Sequence, residues 1–195
     1  MQTEGTLKQR AEAILRDTGW LDMLIGRFGA CAVTGSVRYD LMVWPDIDIH
    51  MPVPASARLA WARLLGDLND GLERAGLRLH KAQMLDDYVD PHPLGAGLYW
   101  GVQFVAGDGT AWKADLWGWE PDDYARRQQS DARLIAALDT ADRALILRLK
   151  TQARTRKDYY GVIVSSWDIY QFVLAGAGTT LDEIEAWKAR ATAKP

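Results

Sequence analysis

The stretch Gly35-Ser36-Val37-Arg38-Tyr39-Asp40-Leu41-Met42-Val43-Trp44-Pro45-Asp46-Ile47-Asp48-Ile49-His50-Met51 decides the fold. From Asp46 onward polar and aliphatic residues alternate. A strand there points Asp46, Asp48 and His50 to one face and Ile47, Ile49 and Met51 to the other. Just upstream, Ala30 to Thr34 is a short apolar run bounded by Gly29 and Gly35, which reads as a buried strand rather than a helix. With 20 aspartates in 195 residues, roughly two Asp-x-Asp pairs arise by chance. The pair gains meaning from its setting, between a Gly-Ser turn on one side and a one-faced strand on the other.

Working outward, residues 6–17 place Leu7, Ala11, Ile14 and Leu15 at helical spacing before Gly19, and residues 21–28 continue as a second helix. Ser56 reads as the N-cap of a helix reaching Ala75, with Gly76 beyond its end. Residues 77–84 form a predicted strand, followed by the loop DDYVDPHPLGAG. The segments LYWGVQFV and AWKADLWGW are rich in β-branched and aromatic residues and flank Gly107-Asp108-Gly109, a hairpin signal that puts Lys113, Asp115 and Trp117 on one strand face. After Pro121 the periodicity turns helical, over 133–154, 159–174 and 181–190, with Gly176 and Gly178 separating the last two. The expected class is α/β (α+β): a mixed β-sheet flanked by helices in a lobe spanning 1–120, and a helical lobe, 121–195, closing a cleft against it.

Hydrophobic residues at 48% and charged residues at 25% exclude a disordered or collagen-like chain. The net charge of -3 argues against coating a long nucleic acid. Cys31 is alone, so no internal disulfide forms; its apolar neighbours predict a buried, inert thiol in a reducing compartment. No apolar run approaches the length of a membrane span and the first residues are too polar for a signal peptide, so a cytoplasmic location is expected. His80 and His92 show no ligand spacing with each other or with Cys31, and no zinc is assigned. His50 lies on the carboxylate face, where it could polarise a substrate, though a hydrogen bond to a neighbour is the more ordinary role of a lone strand histidine. Trp44, Trp100, Trp112, Trp117 and Trp119 cluster around the same strands; most belong to the core, with one or two placed to stack on a ring.

Two aspartates on one strand face make half of an Mg²⁺ site, because that ion takes oxygen ligands and commonly one or two carboxylates plus substrate phosphate. A third carboxylate opposite completes a two-metal clamp of the kind that promotes in-line phosphoryl displacement. Gly35 permits an unusual backbone angle and close approach, and Ser36 with the amides after it can donate to phosphate oxygens. The bland alternatives are an ordinary turn at Gly35-Ser36, solvated edge charges at Asp46 and Asp48, and an ion pair between Asp115 and Lys113.

The Gly35-Ser36 turn followed by Asp46-Ile47-Asp48 resembles the Gly-Ser and Asp-x-Asp motif of the DNA polymerase β-like nucleotidyltransferase superfamily, a likeness that covers Ala30 to Trp119. The resemblance implies a third carboxylate on a later strand, where Asp115 falls. It also implies catalytic and metal-binding roles for Asp46, Asp48 and Asp115, with Mg²⁺ or Mn²⁺ as the ion. In the helical lobe, Leu145 to Lys150 and Gly161 to Trp167 are similar to the lysine helix and serine-containing helix of poly(A) polymerase-like members. That likeness implies triphosphate contacts from Lys150 and Ser166, beside Gly35 and Ser36. Between Arg143 and Lys157 there are six basic residues and no acidic one, and Arg143, Lys150, Arg154 and Lys157 are expected along one face as a basic stripe. The expected activity is transfer of a nucleoside monophosphate from a nucleoside triphosphate such as ATP to an acceptor hydroxyl, releasing pyrophosphate. The acidic balance favours a small-molecule acceptor. Two other classes stay open: an antitoxin-like minimal nucleotidyltransferase that modifies or binds a helical partner protein, and a nucleotide-binding module without catalysis.

Overall fold

The computed structural model describes residues 6–89 and 95–192, which hold nine α-helices and one five-stranded mixed sheet. His92 and part of the expected loop lie outside the described residues. The contacts divide the chain into two compact units, one ending at Asp131 and one beginning at Ala132. The division falls within a helix, α6 (Pro121–Leu138); the boundary expected from the turn to helical periodicity is at residue 120.

In the first unit, α1 (Leu7–Thr18) starts at a capping box between Thr6 and Gln9 and stops at Gly19 in the left-handed conformation. α2 (Trp20–Phe28), β1 (Ala32–Thr34), α3 (Gly35–Tyr39) and β2 (Asp46–Pro52) follow. The helix expected from Ser56 to Ala75 is broken. Ser56 sits inside a 3₁₀ turn (Ala55–Ala57) that has no side-chain cap, and α4 (Arg58–Ala62) is separated from α5 (Leu64–Arg74) at Arg63. Then come β3 (Arg78–Asp86), β4 (Gly97–Val105) and β5 (Ala111–Trp119), the last two joined by the predicted hairpin, with Gly109 at a φ of 84°.

The strand order is β1-β2-β5-β4-β3. β2 and β5 run parallel while every other neighbouring pair is antiparallel. This one parallel pairing joins segments more than sixty residues apart and places the two acid-bearing strands side by side. The alternation of β2 is as read: Ile47, Ile49 and Met51 are wholly buried, together with Ala114 and Leu116 of β5 and Leu98, Val102 and Phe104 of β4. They join Ala11 and Leu15 of α1 and Leu64, Leu68 and Leu72 of α5 in one core. Full burial of each isoleucine, leucine, valine, methionine or phenylalanine side chain among them contributes about 1.5 to 3 kcal/mol. The buried indoles are anchored as well as packed: Trp20 Nε1 donates to the Leu68 carbonyl at 3.0 Å and Trp100 Nε1 to the Trp61 carbonyl at 2.9 Å. The opposite face of β2 and β5 is thereby left to Asp46, Asp48, His50, Lys113, Asp115 and Trp117.

The second unit packs α7 (Arg143–Thr155), α8 (Ser166–Leu174) and α9 (Leu181–Thr192) against one another. The helix expected over 133–154 is interrupted after Leu138, and Asp142 restarts it by accepting from the Leu145 amide at 2.9 Å. The helix expected over 159–174 begins only at Ser166. Gly161 takes a φ of 82°, and the Tyr159 carbonyl accepts from the amides of Val162, Ile163 and Val164, which folds that segment into turns. Among the described residues no helix is long and apolar enough to cross a membrane.

Candidate functional site

Because β2 and β5 are parallel neighbours in register, Asp48 stands opposite Asp115 and Asp46 opposite Lys113. Residues paired this way point to the same face, so the three carboxylates converge, each offering an oxygen within 4.8 Å of the others. Among the described residues this is the one such group of potential metal ligands. Three like charges so close repel, and the neighbours answer that repulsion. Lys113 Nζ donates to Asp115 Oδ2 at 2.6 Å and the Tyr99 hydroxyl to Asp115 Oδ1 at 2.5 Å, while Trp44 Nε1 donates to Asp46 Oδ2 at 3.3 Å. Burial pushes the Tyr99 phenol well above its usual range, and the charge of Asp115 and its hydrogen bond push it the same way, so the hydroxyl stays a donor. A hard oxygen donor set of this kind fits Mg²⁺ or Mn²⁺, since each engaged carboxylate oxygen keeps a second lone pair.

Two glycines make room for the cluster. Gly35 has a φ of 63°, and a Cβ built on it would overlap the Asp48 carboxylate, with Cγ only 2.9 Å away. The turn therefore lies directly on Asp48, and the buried Ser36 follows it in the first turn of α3. Gly101 of β4 pairs with Asp115, and a Cβ there would stand 2.5 Å from the Tyr99 hydroxyl oxygen. Its absence lets the Tyr99 ring cross to Asp115.

The surroundings are ordered. Asp131, buried, accepts from Thr34 Oγ1 at 3.0 Å and from the Tyr39 hydroxyl, and pairs with Arg38 at 2.9 Å, which ties β1 and α3 to the middle of α6. On β5 the indoles of Trp117 and Trp119 stack at 4.8 Å, with Tyr99 tilted against Trp117 and the Arg127 guanidinium 3.6 Å from the Trp119 ring centre. Trp117 is thus in contact with two rings and is half-buried. His50 meets Trp119 edge-on, and burial, aided by the Arg127 charge, pulls its imidazole down to about 4, so it is neutral at pH 7. Cys31 is half-buried rather than buried; burial, with the Asp22 charge adding, pushes its thiol up to about 11.

The structure brings together Gly35, Asp46, Asp48 and Asp115 as the sequence reading grouped them. Lys150 and Ser166 belong to the second unit. The Lys150 side chain is fully buried, its ammonium donating to the Tyr170 hydroxyl at 3.1 Å, and Ser166 shares a hydrogen bond with Tyr160 at 2.7 Å. The expected basic stripe is corrected: Arg154 and Lys157 are exposed while Lys150 faces inward, and Lys157 lies past the end of α7. Tyr99, Gly101 and Asp131 were not read from the sequence. The hairpin register could have found the first two, because pairing Val105 with Ala111 across the turn sets Gly101 opposite Asp115. Asp131 gave no signal in its own neighbourhood. No family model matches the chain, and no curated protein matches it in sequence.

Proposed function

We propose that the protein is a Mg²⁺-dependent nucleotidyltransferase that moves a nucleoside monophosphate from a nucleoside triphosphate to an acceptor hydroxyl, releasing pyrophosphate. The observation that carries this reading is the convergence of Asp46, Asp48 and Asp115 within 4.8 Å, with the Gly35 turn lying against Asp48. Magnesium held by these carboxylates would supply Lewis-acid help at the transferred phosphoryl group. Asp46 and Asp48, fixed on β2 by the buried Ile47 and Ile49, would hold the metal beside the triphosphate. The Gly35-Ser36 turn offers a close backbone approach and a hydroxyl donor to the phosphate tail. Asp115, held by the Tyr99 hydroxyl, takes the proton of the acceptor hydroxyl as the acceptor oxygen bonds to the α-phosphorus and the bond to the departing pyrophosphate breaks. The acidic net charge supports a small-molecule acceptor over a long polyanion.

The test is incubation of the protein with each of the four labelled ribonucleoside triphosphates, Mg²⁺ and a cell extract, followed by identification of what carries the label. The reading expects a labelled small molecule and loss of labelling in excess chelator. Label on a protein chain would favour the partner-modifying class, and no chelator-sensitive labelling with any of the four would overturn the proposal.

A further inference from the structure

The carboxylate cluster is already served by a cation of its own. Lys113 lies two residues before Asp115 on β5, so both side chains rise from the same face, and its parallel register sets it directly opposite Asp46. Its ammonium sits 2.6 Å from Asp115 Oδ2, on an oxygen of the group that brings three carboxylates within 4.8 Å. We propose that Lys113 is a built-in counter-cation of the Asp46, Asp48 and Asp115 cluster, which a divalent ion must displace in order to bind; this rests on the metal-dependent reading above.

An ion held by these aspartates would share Asp115 with the ammonium, and two cations at one carboxylate repel each other. One of them has to leave. The Lys113 side chain is 44% exposed while that of Asp115 is 14% exposed, so the flexible lysine stem has solvent to withdraw into and the aspartate does not. Exchange with a monovalent ion replaces one charge by an equal one and gains nothing. Exchange with a divalent ion doubles the charge facing the three carboxylates. Lys113 therefore selects for divalent over monovalent cations, at the expense of weaker metal binding and with the benefit of a cluster that is stable without metal.

The experiment uses the full chain as wild type, Lys113→Met and Lys113→Gln, titrated calorimetrically with Mn²⁺ alone and melted in excess chelator. Removing the internal competitor should tighten Mn²⁺ binding at least tenfold in both variants and lower their melting temperature in chelator. In the wild type, the Lys113 ammonium resonance should be observable by NMR in chelator and lose its protection from exchange as Mg²⁺, which is diamagnetic, is added, a readout that needs no variant. Metal binding that is equal or weaker in the variants, or an ammonium signal indifferent to Mg²⁺, would overturn the proposal and make Lys113 a brace for Asp115. Absence of metal binding in all three proteins would instead overturn the metal-dependent reading itself, and this inference with it.

Discussion

Gly101 is required for space, whereas Gly35 is required for both space and backbone angle. The φ of 63° at Gly35 is one that side chains rarely adopt, and a Cβ there would collide with Asp48. At Gly101 the obstacle is the Tyr99 side chain, its hydroxyl most closely and its ring edge behind it. This difference gives a prediction at the scale of one residue pair. Gly101→Ala should destabilise by about 1 to 3 kcal/mol through overpacking, and the loss should shrink by at least about 0.5 kcal/mol in a Tyr99→Phe background, where the displaced hydroxyl is missing. Denaturant unfolding of the two single variants and the double variant measures it; strictly additive losses would show that Gly101 does not make room for the hydroxyl. The sequence made Gly35 legible because the glycine stands beside a serine and upstream of paired aspartates. It left Tyr99 silent, because a tyrosine in an aromatic-rich strand looks like any other until its cross-strand partner is known.

At the scale of elements, β2 was legible because one face must be apolar, and the alternation Asp-Ile-Asp-Ile leaves only one way to bury it. The helices after Pro121 were legible as helical but not in their limits, since caps rather than periodicity decide where they start. Asp168 shows how. In the capping box of α8 its Oδ2 accepts from the Ser165 amide at 2.8 Å and from Lys188 Nζ of α9 at 2.8 Å. Burial opposes its charge, but Lys188 and the Ser165 donors outweigh that and hold the carboxyl below its usual range. A depressed carboxyl stabilises the fold above its unfolded value, and this contribution is lost as pH falls through the folded value. Asp168→Asn should therefore cost about 1 to 3 kcal/mol at pH 7, a deficit that narrows below about pH 4. Thermal melts of wild type and variant from pH 7 to pH 2.5 provide the comparison, and a deficit constant across that range would remove the charge from the explanation.

At the scale of the whole molecule, the class of fold followed from the order of strand-like and helix-like segments, and the acid-bearing strands were each found by their own pattern. Their adjacency was not written in either one. The parallel pairing of β2 with β5 is a long-range choice, made when Ile47, Ile49, Ala114 and Leu116 share one buried layer, and it alone turns three separate aspartates into a cluster. The second unit shows the reverse case: Lys150 was legible as basic, while its burial against Tyr170 depends on packing that periodicity does not specify. The central claim is that the cluster binds a nucleotide through a divalent metal, and calorimetric titration of the full chain with a non-hydrolysable ATP analogue tests it most directly. The account predicts binding in Mg²⁺ that is at least tenfold weaker, about 1.4 kcal/mol, both in excess chelator and in Asp46→Asn. Equal affinity with and without the metal, or an Asp46→Asn protein that binds as the wild type does, would contradict it.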